Sequence, residues 1–265
     1  MGGYHFYNTH VNVRLLPLQE VLELTEHCAS MITLPRGSKH IVIAASCNMK
    51  KFFFLDCSDG QLYVGTKNLF ATGEMMPCVA SSLIDVAQQD AMLLWLEEYG
   101  RQLEVGNFSV HKDGNIWSIS LFPEKEPLCS EAVKNGVQVR ASAVFVPEFS
   151  NLLENRNEYY FCYSIRMCLL HQEKISEGGM LSSCQLARRH WIIRANDTII
   201  NDFHGDAVIG KYPYLKEGGD VFVYQSCCPL RTFSGSIEGD FTFVPGRLSK
   251  PHGPEFSARV APFPL

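Results

Sequence analysis

None of the ten cysteines of this chain stands in a C-x-x-C pair. Paired thiols at that spacing are a common way to grip zinc, so no metal is expected. The N-terminus, MGGYHFYNTH, lacks the charged-then-apolar pattern of a secretory signal. With no signal and no framework spacing, the cysteines read as reduced, mostly buried, small apolar residues. The sequons Asn107-Phe108-Ser109 and Asn196-Asp197-Thr198 would then never meet the glycosylation machinery. Apolar runs such as Ile41 to Ala45 are far too short to span a bilayer. Gly2 alone suggests myristoylation, and Phe6 stands where Ser or Thr is wanted. No Lys/Arg stripe accompanies the net charge of -5, which removes the footprint of a nucleic-acid binder. There is no G-x-S-x-G and no placed Cys/His motif for nucleophilic catalysis. These absences point away from enzymes, membranes, nucleic acid and bound cofactors. They leave a binding protein of the cytoplasm and/or nucleus.

What is present suits a folded chain. Its 265 residues are enough for two domains, and 46% of them are hydrophobic. The clearest boundary is PEKEPLCSEAVKNG, residues 123 to 136, which carries two prolines and lacks helical or period-2 patterning. It divides the chain into a domain over 1–125, a linker over 126–136 and a second domain over 137–265. The first half mixes strands with helices. Leu18 to Cys28 has Leu18, Val21, Leu22 and Leu24 at helical spacing. Strands are expected at 41–46, 52–57 and 62–66, the last two joined through Asp59-Gly60. A helix is expected over Ser82 to Leu103, with Asp90 as an internal cap and Leu93, Leu94, Trp95, Leu96, Tyr99 and Leu103 as its apolar face. The second half alternates. Tyr159, Phe161, Tyr163, Ile165 and Met167 share one face of a strand, and about seven such strands indicate an antiparallel sandwich. Glu173 to Ser183, with Gly178-Gly179, reads as a loop between strands.

The C-terminal third carries a long ordered pattern. HGDAVIGKYP holds His204, Gly205, Val208, Gly210 and Pro213. FVYQSCCPLRTFSGSIEGDFTF holds Phe222, Tyr224, Ser226, Leu230, Thr232, Gly235, Ile237, Gly239, Phe241 and Phe243. The end holds Phe256, Val260, Pro262, Phe263 and Leu265. This stretch resembles the ApaG domain, whose pattern runs HGxGVxGxxP, FxYxSxxxLxTxxGxMxGxYxF and xFxVxIPxFxL. The chain departs from it at Ala207, where the family has a glycine. The resemblance implies a fibronectin-III-like all-β sandwich. The first half resembles part of the SUKH (Smi/Knr) superfamily, through GGYHFYNTHVNVRLLPL, KKFFFLDCSDGQLYVGT and LLWLEEYGRQL. The expected fold class is therefore α+β: a partial SUKH-like α+β domain, then the sandwich.

SUKH followed by ApaG is the layout of one group of eukaryotic F-box proteins, the plant Skp-interacting-partner type and its animal F-box-only counterpart. There an N-terminal F-box docks on the adaptor of a cullin ubiquitin ligase, and the domains behind it recruit substrate. No F-box is found upstream of Gly3, and the helices that open a SUKH domain are missing too. The resemblance thus implies a non-catalytic substrate-recognition part of an SCF-type ligase. Its partner would be a protein substrate, with adaptor and cullin joining only where an F-box stands upstream. The incomplete first half should expose apolar surface and be unstable or sticky.

The candidate site residues are His204, Gly205, Asp206, Val208 and Gly210. Successive amides from Gly205 to Gly210 can cradle a phosphate or an acidic peptide group. The dinucleotide form of that cradle needs a following helix, and Lys211-Tyr212-Pro213 follows instead. The other reading is a tight turn packed on the sandwich. Bacterial stand-alone ApaG relatives keep open a small-anion or nucleotide-binding role for this loop. His204 and Asp206 read either as an acid/base pair or as a turn histidine capping backbone. Arg188-Arg189-His190 reads either as a contact for phosphate or an acidic partner, or as a solvated strand edge. Glu97 and Glu98 diverge around their helix, and Trp95 and Trp191 read as core. Cys227 and Cys228, facing opposite sides of one strand, read as structural.

Overall fold

A computed structural model describes residues 3–6, 9–32, 39–83, 90–113, 115–153, 157–171 and 181–265. The chain divides into two compact units, one of residues 1–122 and 145–161, the other of 123–144 and 162–265. Gly2, residues 84–89 and Gly178-Gly179 lie outside the described residues.

In the first unit, six strands join in chain order into one antiparallel sheet: β1 (Gly3–Phe6), β2 (Thr9–Leu15), β3 (His40–Ser46), β4 (Phe52–Asp56), β5 (Leu62–Gly65) and β6 (Met75–Pro77). Every pairing is between sequence neighbours, so each can close locally. The β4–β5 turn follows its Asp-Gly signal: Gly60 takes φ 73°, and Asp59 Oδ1 accepts the Gln61 amide at 2.9 Å. Helix α1 (Leu18–Met31) packs Leu24 and Cys28 against Val42, Phe52 and Phe54. Leu18 and Leu22, expected on that face, are 75% and 55% exposed. At 3.6 residues per turn, Leu22 and Leu24 lie about 200° apart, so one side cannot bury both. The short α2 (Leu69–Thr72) buries Leu69 in the same core.

Helix α3 (Ala91–Glu104) begins at Asp90, later than the expected Ser82. Asp90 Oδ1 accepts the amides of Met92 (2.8 Å) and Leu93 (3.4 Å), which fixes the start. Trp95 stacks on Tyr99 one turn on, with centroids 5.2 Å apart, and meets Phe53 at 6.1 Å. Leu93, expected on the apolar face, is 54% exposed. The mid-helix Gly100 has no heavy atom within 4 Å of the position a Cβ would take. Gly100→Ala should therefore stabilise this unit by about 1 kcal/mol, read as a higher urea midpoint. A two-stranded hairpin of β7 (Val110–Asp113) and β8 (Ile116–Ile119) completes the unit.

The second unit is a sandwich. Strand β9 (Cys129–Lys134) turns through Asn135 (φ 50°) and Gly136 (φ 77°) into β10 (Val137–Phe145). Two central residues at positive φ make the hairpin turn that matches strand twist. The segment 126–136, read from sequence as a linker, is thus mostly strand and turn. It shows no alternation because β9 lies at the sheet edge, with Val133 52% exposed. That sheet runs β15 (Phe222–Leu230), β11 (Tyr159–Leu169), β10, β9. The facing sheet runs β13 (Thr198–Asp206), β12 (Ser183–Ala195), β16 (Gly235–Arg247), β17 (Lys250–Pro251). In it β14 (Tyr214–Lys216) also pairs with β12, and β18 (Phe256–Pro264) with β16. Tyr163 of β11 meets Trp191 of β12 and Phe263 of β18 at 6.4 and 6.1 Å. Ile165, Met167, Leu186, Ile237, Phe241 and Phe243 fill the space between the sheets.

Candidate functional site

The stretch from His204 to Gly210 is not one loop. His204, Gly205 and Asp206 end strand β13, opposite His190, Arg189 and Arg188 of β12. The turn proper is Val208-Ile209-Gly210-Lys211. Val208 and Lys211 exchange backbone bonds of 3.0 and 2.8 Å, while Ile209 (φ 44°) and Gly210 (φ 74°) take the left-handed region. Glycine at 210 meets that requirement without strain. Val208 is buried and anchors the turn, and Ala207 N–H donates to Ala187 O at 3.1 Å. The amides of Ala207, Val208 and Lys211 are therefore bonded within the fold.

Gly205 has a different reason to be glycine. A Cβ there would stand 3.1–3.2 Å from the guanidinium of Arg189. That group crosses the strand over Gly205 and donates to Asp206 O (2.8 Å) and Ala207 O (2.5 Å). Gly205→Val should displace it and cost about 2 kcal/mol, the range for hydrogen bonds to a charged group. In an Arg189→Ala background the same substitution should cost far less. A double-mutant cycle by urea denaturation measures that coupling.

The triplet Arg188-Arg189-His190 lies on β12, between β13 and β16, rather than on a strand edge. Each member has partners. Arg188 pairs with Glu255, and Arg189 holds the turn. His190 Nε2 lies 2.8 Å from Asp202 Oδ1, and its Nδ1 lies 3.2 Å from Asp240 Oδ2. The bond to Asp202 raises the His190 pKa against the opposing pull of desolvation, and Asp240 adds to the rise. His204 stacks on His190 with centroids 4.1 Å apart and planes 13° apart. The register therefore gives His204 a partner in His190, which sequence reasoning did not pair with it.

The remaining candidates are structural in their surroundings. Arg101 donates to Glu98 at 2.6 and 2.7 Å and Gln102 also donates to it, holding its carboxyl down to about 2. Trp191 is core, whereas Trp95 is half-buried. Burial pushes the thiols of Cys78, Cys184 and Cys228 up to about 12. Such thiols stay protonated at neutral pH and are poor nucleophiles. At pH 8 a thiol reagent should modify the exposed Cys47 and Cys57 first, and reach these three only on denaturation. Mass-spectrometric mapping of a timed alkylation checks the order.

The ApaG domain model matches residues 150–245. Protein ApaG of Anaeromyxobacter dehalogenans is 35% identical over 136 residues, which cover 51% of this chain and 94% of that protein. The chain belongs to the ApaG family. The β12–β16 ladder and the Gly210 turn are thus parts of an ApaG domain. The whole chain aligns with F-box protein SKIP16 of Arabidopsis thaliana, 50% identical over 275 residues and covering 62% of that protein's length. Human F-box only protein 3 is 28% identical over 149 residues, covering 56% of this ApaG chain and 29% of the human protein. Among the described residues, no helix is long and apolar enough to cross a membrane.

Proposed function

We propose that this chain is a non-catalytic, substrate-recognition part of an SCF-type ubiquitin ligase, binding a protein substrate in the cytoplasm and/or nucleus. The observation that carries this reading is the 50% identity, along the whole chain, to an F-box protein. The resemblance to F-box proteins implies that an F-box would dock on the adaptor and that the domains behind it would hold the substrate. The first unit is taken as SUKH-like, on the three sequence blocks that precede the ApaG domain. A binding role is also supported by the thiols, which are pushed away from reactivity, and by the pairing of Arg188, Arg189 and His190 within the fold.

The test is affinity purification of the tagged chain from its own cells, with and without proteasome inhibitor. The same chain joined behind an F-box runs beside it. Shared partners should accumulate under inhibitor only with the F-box form. Stoichiometric assembly of the unjoined chain with adaptor and cullin would overturn its role as a substrate-binding part alone. An anion-binding role would draw on the turn amides of Ile209 and Gly210 beside the open edge of β13. Pyrophosphate calorimetry with Gly210→Trp as control separates it: silence leaves the protein-binding role, and a loop-dependent signal replaces it.

A further inference from the structure

We propose that His190, Asp202 and His204 form a binding site for a zinc-class divalent transition-metal ion on the outer face of the sandwich. Their ligand atoms all lie within 4.8 Å of one another. Two imidazoles and one carboxylate make a donor set suited to zinc, nickel or copper. The sheet builds the set. His190 and His204 stand directly opposite on β12 and β13. Asp202 precedes His204 by two positions, so the pleat sends both side chains to the same face.

The other neighbour of β12 supplies the orienting group. Asp240 of β16 pairs with His190 in register, and its carboxylate lies 3.2 Å from Nδ1. A proton held on Nδ1 towards Asp240 leaves the Nε2 lone pair aimed at the Asp202 and His204 side. Carboxylate–histidine–metal arrangements use this logic to set the tautomer. Without metal, Nε2 carries a proton that it donates to Asp202 Oδ1 at 2.8 Å. A metal ion takes the place of that proton, which leaves to solvent, with Nε2 and the Asp202 carboxylate as its ligands. Ligands at zinc distances sit about 3.3 Å apart, so the His204 ring has to leave its stack and close in by up to about 1.5 Å, while His190 Nε2 and Asp202 Oδ1 part by about 0.5 Å. His204 is exposed and has room to do so. The cations nearby do not oppose the charge: Arg188 is paired with Glu255 and Arg194 with Glu238.

The test uses the full chain carrying Cys47→Ser and Cys57→Ser, since exposed thiols compete for soft metals. Zinc is titrated while the imidazole resonances are followed by NMR. One equivalent should shift His190 and His204 together and raise the melting midpoint reversibly with chelator. His204→Ala and Asp202→Asn should each weaken binding at least tenfold. Asp240→Asn should weaken it about tenfold without removing a ligand. Zinc that leaves both imidazoles unmoved, or binds His204→Ala as tightly as the parent, overturns the proposal. Because the NMR readout is taken on the parent fold, it stands even if a variant fails to fold.

Discussion

Replacing Gly239 by alanine should destabilise the sandwich unit by about 3 kcal/mol, at the upper end of what overpacking costs. Gly239 faces Trp191 across the β12–β16 ladder. A Cβ there would lie 2.0 Å from the backbone oxygen of His190 and 2.9 Å from its carbonyl carbon. No flexible side chain can yield. Relief requires β12 and β16 to part, and both are central strands. Gly205 is the informative contrast, because a Cβ there meets only the far end of Arg189. Gly205→Ala should cost clearly less than Gly239→Ala under the same urea titration. A loss below about 1 kcal/mol at Gly239 would mean the strands are not this close.

Much of the fold was legible because its contacts are short in sequence. Asp59-Gly60 announced the β4–β5 hairpin, and the alternation from Tyr159 to Met167 announced β11. What could not be read depended on distant groups. The buried side of α1 is chosen by where Val42 and Phe54 lie, which the spacing of Leu18, Leu22 and Leu24 does not reveal. Strand β9 leaves no alternation in the sequence because an edge strand buries too little to enforce a pattern. The glycine at 239 was visible as a motif position, but its cause is a carbonyl almost fifty residues away in sequence.

The site was legible in its turn and hidden in its strands. Gly210 stands in the 208–211 turn, while Gly205, which suggests a loop, lies where β13 continues. The alternation of Asp202, Phe203 and His204 was a strand signal that the glycine obscured. The pairing of His190 with His204 was out of reach for a further reason. Counting back evenly from Ala195 opposite Thr198 places His190 opposite Phe203. The irregularity at Ile193/Arg194 shifts the register by one, and brings His204 opposite instead. A one-residue shift exchanges the two faces of a strand. Only the bulge puts two imidazoles and Asp202 on one side of the sheet.

Trp191→Ala should cost the sandwich about 3–5 kcal/mol, the range for removing a buried aromatic. Trp191 is 3% exposed, with Phe241 at 5.4 Å and Tyr163 at 6.4 Å, both edge-on. It lies between Arg189, which holds the turn, and Ile193, where the register shifts, so its packing sets the strand that positions both imidazoles. Far-UV circular dichroism in urea measures the loss without relying on the indole. Trp191→Phe, which keeps a ring against Phe241, should recover more than half of it. Combining Trp191→Ala with Gly239→Ala separates two causes. The indole lies 3.2 Å from the added Cβ, but the His190 oxygen lies at 2.0 Å. Emptying the Trp191 site should therefore leave the penalty at Gly239 largely in place. Full rescue there would show that the ring, not the backbone, demands glycine.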